Sequence, residues 1–205
     1  ELGLLGGQAK WSVNTDLAGL ALTLPAPLNK TASVKVPLRV ESQLTPESLR
    51  PKTKVQQDQI KVSYGKQVNV MYVRDVSTPH TRVVSGAMTV GAANEVPLRD
   101  GVVSLNLQLP FVDLDAWSDV LNQSTGAKFI KVKSKTIGLE ASGDGAQDYL
   151  PSALNIKADQ LKISDRMVHA ITATGSRHGD LWHFDVAATE LQGAVEVRPP
   201  NGNTP

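Results

Sequence analysis

The sequence predicts an all-β protein built mainly from antiparallel strands, and two observations lead to this fold class. Apolar and polar residues alternate in short runs along most of the 205 residues. Turn-forming stretches such as YGKQ, RDG and SRHGD separate these runs at short intervals. Alternation with a period of two puts the apolar side chains of a strand on one face of a sheet and its polar side chains on the other. Closely spaced strands of this kind typically pair as a meander with one face against water.

The first half of the chain contains a proline-terminated segment and three alternating runs. Segment 16–24 alternates and then meets Pro25, so it predicts a strand that stops at the edge of a sheet. Gly65 and Lys66 separate two of the later runs and predict a hairpin turn. The polar segment 41–54 is interpreted as a long loop or a hairpin tip. The three runs are Val34, Val36, Leu38 and Val40; Ile60, Val62 and Tyr64; and Val68, Val70 and Tyr72.

The second half of the chain repeats this alternation in four further runs. His169 falls in phase with apolar neighbours, so we expect a half-buried, hydrogen-bonded histidine there. The four runs are Leu105, Leu107 and Leu109; Leu154, Ile156 and Ala158, followed by Leu161 and Ile163; Met167, His169 and Ile171; and Trp182, Phe184 and Val186.

One segment has helical spacing instead. Leu114, Trp117 and Leu121 lie at positions i, i+3 and i+7, which predicts one short amphipathic helix near 114–123. Asp113 or Asp115 can accept hydrogen bonds from the free N–H groups at its start, and Gly126 can end it. We expect this helix to cover one end of the sheet and to bury Trp117.

Two distant segments have similar spacing. Leu17, Gly19 and Pro25 are spaced as Leu191, Gly193 and Pro199 are. A repeating β unit whose strand ends in proline at a sheet edge would give this pattern. Chance would also give it in a chain with 16 glycines and 12 prolines.

Composition excludes several functional classes. The chain has no cysteine, so disulfides, thiolate metal sites and a cysteine nucleophile are excluded. A net charge of +1 with scattered basic residues gives no footprint for nucleic acid. The 4 histidines are scattered, and no catalytic or nucleotide-binding motif is present. We therefore predict no catalytic residue, no metal site and no cofactor; an unrecognised hydrolase is the least favoured hypothesis.

The ends of the chain suggest a piece of a longer protein. It starts without methionine and ends in the loop-like RPPNGNTP, and no run of about 18 apolar residues occurs. We interpret residues 1–205 as one fragment, with 1–110 and 111–205 as possible sub-units, whose signal or membrane anchor lies outside it.

In three stretches, NTDLAGLALTLPAPLNKTASVKVPLRV, LDAWSDVL and segment 154–200, the chain resembles the YhdP-like branch of the AsmA-like family of Gram-negative bacteria, which is related to the TamB-type proteins. The first stretch is similar to that branch's DLxGLxLxLPxPLxK pattern and the PLRV strand after it. The second resembles its Asp-x-x-Trp helix. The third resembles its closing strands. The residues that match the first pattern are Asp16, Leu17, Gly19, Leu20, Leu24, Pro25, Pro27, Leu28 and Lys30, then Pro37, Leu38, Arg39 and Val40.

The resemblance implies a fold, a location and a role. Such proteins are long, periplasmic and anchored in the inner membrane, and they have twisted, curved sheets that form an open groove with an apolar lining. They are non-catalytic and are implicated in moving phospholipid between the inner and outer membranes. The expected partners are therefore phospholipid acyl chains, the inner membrane through an N-terminal anchor outside this chain, and neighbouring β repeats.

The predicted groove lining combines the alternation with the resemblance. A β-sandwich that binds a protein or glycan in the cell envelope remains the alternative, and it would need two sheets closed on each other. The candidate lining residues are Val34, Val36, Leu38, Val40, Leu105, Leu107, Leu109, Trp182, Phe184 and Val186.

Overall fold

The structure is a computed structural model that describes residues 2–5, 8–50, 53–94, 96–125, 146–179 and 181–198. Its described strands form one 11-stranded sheet in which every strand lies beside its neighbours in the sequence. In chain order they are β1 (Leu2–Leu5), β2 (Gln8–Thr15), β3 (Leu38–Leu44), β4 (Gln57–Tyr64), β5 (Val68–Asp75), β6 (Arg82–Gly91), β7 (Val103–Asp113), β8 (Ala153–Ile163), β9 (Arg166–His178), β10 (Leu181–Ala187) and β11 (Gln192–Val197).

The sheet is open and mainly antiparallel. β1 and β11 are its two edges and do not pair with each other. β7 is the exception to the antiparallel pattern, because it runs parallel to both β6 and β8. Two crossover connections, 92–102 and 114–152, therefore replace simple turns. The predicted all-β, open fold is confirmed, as is its short helix.

The helix α1 (Leu114–Thr125) follows β7 directly, and two 3-10 turns lie at Pro46–Leu49 and Ala146–Tyr149. The Asp113 carboxylate accepts a hydrogen bond from the N–H of Ala116 at 3.0 Å. Asp113 therefore caps α1, as one of the two sequence-based alternatives predicts. Trp117 packs against the buried core of the sheet, while Gly126 lies outside the described residues.

The Asp113 cap makes the stability of the protein depend on pH. The hydrogen bond from Ala116, with Lys162 at 3.1 Å, lowers the pKa of Asp113 below its ordinary value of 3.8. A lowered folded-state pKa gives stability that is present above pH 3.8 and is lost as the pH falls through the folded-state pKa. We expect Asp113→Ala to cost about 1 kcal/mol at neutral pH. Urea unfolding at several pH values should show this cost shrinking below pH 3.8.

Asp113→Asn is the matched control, because asparagine also caps helices but carries no charge. We expect it to cost less than Asp113→Ala and to remove the acid dependence that arises at this position. A cost of Asp113→Ala that is equal at pH 7 and pH 2 would contradict the role given to the ionised carboxylate.

The largest buried cluster lies on β7, β8 and β9 beneath α1. It consists of Leu109, Val112, Ala158, Val168 and Ile171. Leu109 and Val112 are three positions apart on β7, as are Val168 and Ile171 on β9, so the usual two-residue alternation changes phase there. All the buried apolar residues of the described chain lie in β6 to β11, and none lies in β2 to β5.

A backbone irregularity on β9 explains the phase change and corrects one prediction. Ala170 has a φ of +50°, in the left-handed region that side chains other than glycine rarely adopt. Val168 consequently points into the core, and His169 does not. The predicted half-buried, hydrogen-bonded His169 is confirmed, because its side chain is 49% exposed and hydrogen-bonded to Glu190, but its predicted position among the core-facing residues is wrong. It contacts Glu190, whose carboxylate also accepts from the backbone N–H of His169 at 2.9 Å.

Segment 16–37 is a loop, which corrects the strand predicted for 16–24. Gly19 has a φ of +80°. Within the loop, Leu22 and Lys30 form an isolated antiparallel β-bridge. The Lys30 ammonium is buried and donates to the carbonyl oxygens of Leu20 and Thr31, so a local network organises the loop. Gly193, by contrast, lies within β11, so the similar spacing of the two segments does not mark a repeated unit.

Candidate functional site: the apolar face

One face of the sheet carries an unbroken apolar row from β2 to β11. Each member of this central row is the direct cross-strand partner of the next, so the row crosses the sheet at a single level. Adjacent strands lie about 4.8 Å apart, so the row is roughly 43 Å long. Its members are Val13, Val40, Val62, Val70, Met88, Leu105, Leu154, Gly175, Phe184 and Val195.

A second row lies beside the first on the same face. Together, these two rows and the residues in phase with them are called the apolar face below. The second row consists of Thr15, Leu38, Tyr64, Val68, Val90, Leu107, Ile156, Ala173, Val186 and Gly193.

The opposite face is polar at the same level. Because successive strand residues point to opposite faces, each member of its row is the chain neighbour of a residue on the apolar face. At this level the sheet therefore separates apolar from polar side chains from β2 to β10, and the polar row ends in Ala194 on β11. The polar row is Asn14, Arg39, Ser63, Asn69, Thr89, Asn106, Asn155, Thr174, Asp185 and Ala194.

The apolar face is not closed by a second sheet, since all described strands belong to one sheet. None of the central row is among the buried hydrophobic residues, and its end members Val13 and Val195 are 51% and 49% exposed. In a sandwich the middle of each inner face is buried against the other sheet. The geometry of the described residues therefore disagrees with the sandwich alternative.

The structure places the sequence-predicted lining residues in two groups. Val34 and Val36 lie in loop 16–37 before β3 begins, so the strand predicted to start at Val34 starts at Leu38 instead. The other predicted residues lie together on the apolar face, and their contact with lipid stays a prediction. They are Leu38, Val40, Leu105, Leu107, Leu109, Trp182, Phe184 and Val186.

Aromatic rings lie flat on the apolar face, over glycine. A Cβ added to Gly86 would fall 2.6 Å from the ring of Tyr72, and one added to Gly175 would fall 2.5 Å from the ring of Phe184. Each glycine is the direct cross-strand partner of its aromatic residue. The rings consequently cover the backbone and keep the surface continuous.

Loop 16–37 and α1 meet at one end of the apolar face. The Trp117 indole N–H donates to the carbonyl oxygen of Ala26 at 3.2 Å. The Tyr64 hydroxyl, at the end of β4, donates to the carbonyl oxygen of Leu28 at 3.3 Å. Two segments that are far apart in sequence therefore border the same end of the face.

A polar cluster lies at the other end. The Arg74 guanidinium donates to both carboxylate oxygens of Asp58, and the distance from its Nε to Asp58 Oδ1 is 2.9 Å. It also donates to the hydroxyl of Tyr149 at 3.3 Å. Its hydrogen bonds to Asp58 raise the pKa of Arg74. Tyr72 donates to the carbonyl oxygen of Tyr149 at 2.8 Å, and burial raises the pKa of Tyr72 to about 12. The segment before β8 is thus fixed onto β5.

Four charged side chains are in phase with the apolar face among the described strand residues: Asp58, Arg74, Arg177 and, beyond the phase change on β9, Arg166. The first three lie at the end that carries the polar cluster, and Arg166 lies at the opposite end of β9. The sequence-based prediction of the site missed them, although each falls in phase with apolar residues of its own strand. Their phase was the available signal; their proximity depends on pairing between distant strands.

The described residues contain no group of three or more His, Asp or Glu residues that could hold a metal ion. Among the helices in the described ranges, none has the length and apolar character needed to cross a membrane. The described residues form an extended apolar surface that is partly exposed to solvent and has charged side chains at the end that carries the polar cluster.

Comparison with known proteins agrees with this arrangement. Neither a curated protein nor a solved structure matches the chain. The family model described as YhdP protein matches residues 4–205. That family consists of non-catalytic, lipid-transport-related proteins of the bacterial envelope. Because the match covers nearly all of the sequence, the chain belongs to the YhdP family.

Proposed function

We propose that this chain is one section of a periplasmic, inner-membrane-anchored protein that shelters phospholipid acyl chains and conducts them between the inner and outer membranes. The observation that carries the proposal is the central apolar row, which crosses the sheet from β2 to β11 and remains partly open. Removing one CH₂ group from water is worth about 0.8 kcal/mol, so shelter of part of an acyl chain is significant.

The two edges of the sheet extend the proposal to neighbouring β repeats. An edge strand leaves unpaired N–H and C=O groups that another strand can bind. Val13 and Val195 bring the central row close to both edges. Strands from the flanking chain that pair with β1 and β11 would therefore lengthen the same apolar surface.

A lipid-binding measurement on the 205-residue chain tests the proposal. We expect native mass spectrometry after incubation with phosphatidylglycerol vesicles to detect bound lipid. Leu105→Glu puts a carboxylate in the middle of the central row, and we expect it to reduce binding roughly tenfold, because a charge is costly beside an acyl chain.

Gln108→Glu is the matched control, since it puts the same group on the same strand at an exposed position of the polar face. It should leave lipid binding unchanged. Circular dichroism checks folding, and Leu105→Gln replaces the charged variant if that one does not fold. A folded wild-type chain that binds neither lipid nor detergent would overturn the proposal.

A further inference from the structure

Arg177 is a charged side chain at the end of the apolar face that carries the polar cluster, and no described residue is paired with it. It lies on β9 opposite Trp182, in phase with Gly175 and Ala173, and it is half-buried. Its guanidinium forms neither a hydrogen bond nor an ion pair with any residue that the structure describes. Asp58 and Arg74 compensate each other, so this end of the described apolar face carries the positive charge of Arg177.

Arg177 borders an open cavity of 210 Å³ that is lined by both polar and apolar residues. Val83, Val103 and Leu150 supply apolar parts of its wall. Asp148 also lines the cavity, but it is exposed and forms no ion pair with Arg177 in the described structure. A guanidinium that is partly removed from water and lacks an acceptor favours an anion with several oxygen atoms, such as a phosphate.

An apolar track leads away from this cavity along the central row. It begins at Gly175, two positions before Arg177 on β9 and covered by the Phe184 ring, and none of its members is buried. Adjacent strands lie about 4.8 Å apart, so the row spans roughly 19 Å from β9 to β5. One acyl chain occupies half of a bilayer core, or about 15 Å. The track is therefore long enough for an acyl chain whose headgroup lies at Arg177; after Gly175 it continues through Leu154, Leu105, Met88 and Val70.

We propose that Arg177 binds the phosphate of a phospholipid headgroup and so orients the lipid, with its acyl chains lying on the central row. This inference rests on the proposed function, because it assigns the headgroup position on the same surface. It goes further in predicting that the face distinguishes phospholipids from neutral lipids with the same chains.

Competition between two lipids tests this assignment. The 205-residue chain is incubated with equal amounts of phosphatidylglycerol and diacylglycerol with identical acyl chains, and native mass spectrometry measures the bound ratio. We expect the wild type to prefer phosphatidylglycerol, and Arg177→Gln to lower that preference roughly tenfold. Arg177→Lys should keep part of the preference, and Asp148→Asn should increase it, because it removes a nearby negative charge.

Arg166→Gln is the control, since Arg166 is exposed at the opposite end of the same strand. It should leave the ratio unchanged, and equimolar inorganic phosphate should not displace the lipid. Displacement by phosphate would replace the lipid assignment with a general phosphate site. Equal binding of both lipids by the wild type, or an unchanged ratio in Arg177→Gln, would overturn the headgroup site while leaving the groove intact. Binding of neither lipid would overturn the proposed function and this inference with it.

Discussion

Replacing Asp58 by alanine is expected to lower the free energy of unfolding by about 3–5 kcal/mol, as measured by urea denaturation. The Asp58 and Arg74 side chains are 12% and 21% exposed, so the variant would leave a mostly buried guanidinium without its carboxylate. The Ser42 hydroxyl, which donates to Asp58 at 3.3 Å, would lose its acceptor as well. Charge burial without compensation is the physical reason for the large effect.

Two controls separate charge compensation from simple loss of packing. The double variant Asp58→Leu/Arg74→Leu should recover most of the lost stability, because replacing a buried ion pair by apolar residues is often neutral. Glu41→Ala removes the partner of Arg39 on the polar face, where Arg39 is 58% exposed, and it should have little effect. If Asp58→Ala lowered the free energy of unfolding as little as Glu41→Ala does, the role of charge burial would be contradicted, because water would then solvate the Arg74 guanidinium freely.

Trp182→Ala is expected to cost about 3–5 kcal/mol, also measured by denaturant unfolding. Trp182 is 3% exposed and stacks on Phe184 with ring centroids 5.3 Å apart. It also lies opposite Val197, on the edge strand β11, which pairs with β10 alone. Hydrogen exchange in β11 should therefore accelerate in this variant.

Trp11→Ala is the comparison within the same sheet. Trp11 lies near the other edge and is 38% exposed, so its removal leaves a smaller cavity and should cost clearly less. Equal costs for the two tryptophan variants would contradict the location of the core in β6 to β11.

Alternation in the sequence predicted which residues share a face, because side-chain direction in a strand depends only on position. Leu105, Leu107 and Leu109 therefore lie as expected, and helical spacing placed Trp117 on a core-facing helix. Local rules failed where a distant contact or an unusual backbone angle decides the structure. The left-handed Ala170 has no signature in composition, and Lys30 gives no sign that its ammonium is buried.

The parallel orientation of β7 could not be predicted from local sequence patterns, for a different reason. An alternating run looks the same whether its neighbours run with it or against it, and the order of strands depends on the paths of segments 92–102 and 114–152. The charged end of the apolar face had a visible phase signal in Asp58 and Arg74. Their pairing required knowing that β4 and β5 are adjacent in that register.

The uneven distribution of buried residues has a mechanical consequence. Because the buried apolar residues of the described chain lie in β6–β11, we expect this part of the sheet to be stiffer than β2–β5. Opening fluctuations need the least free energy where few apolar contacts break, so β2–β5 can widen while the remainder holds its shape. We therefore expect the proposed lipid cargo to be accommodated by local widening of β2–β5.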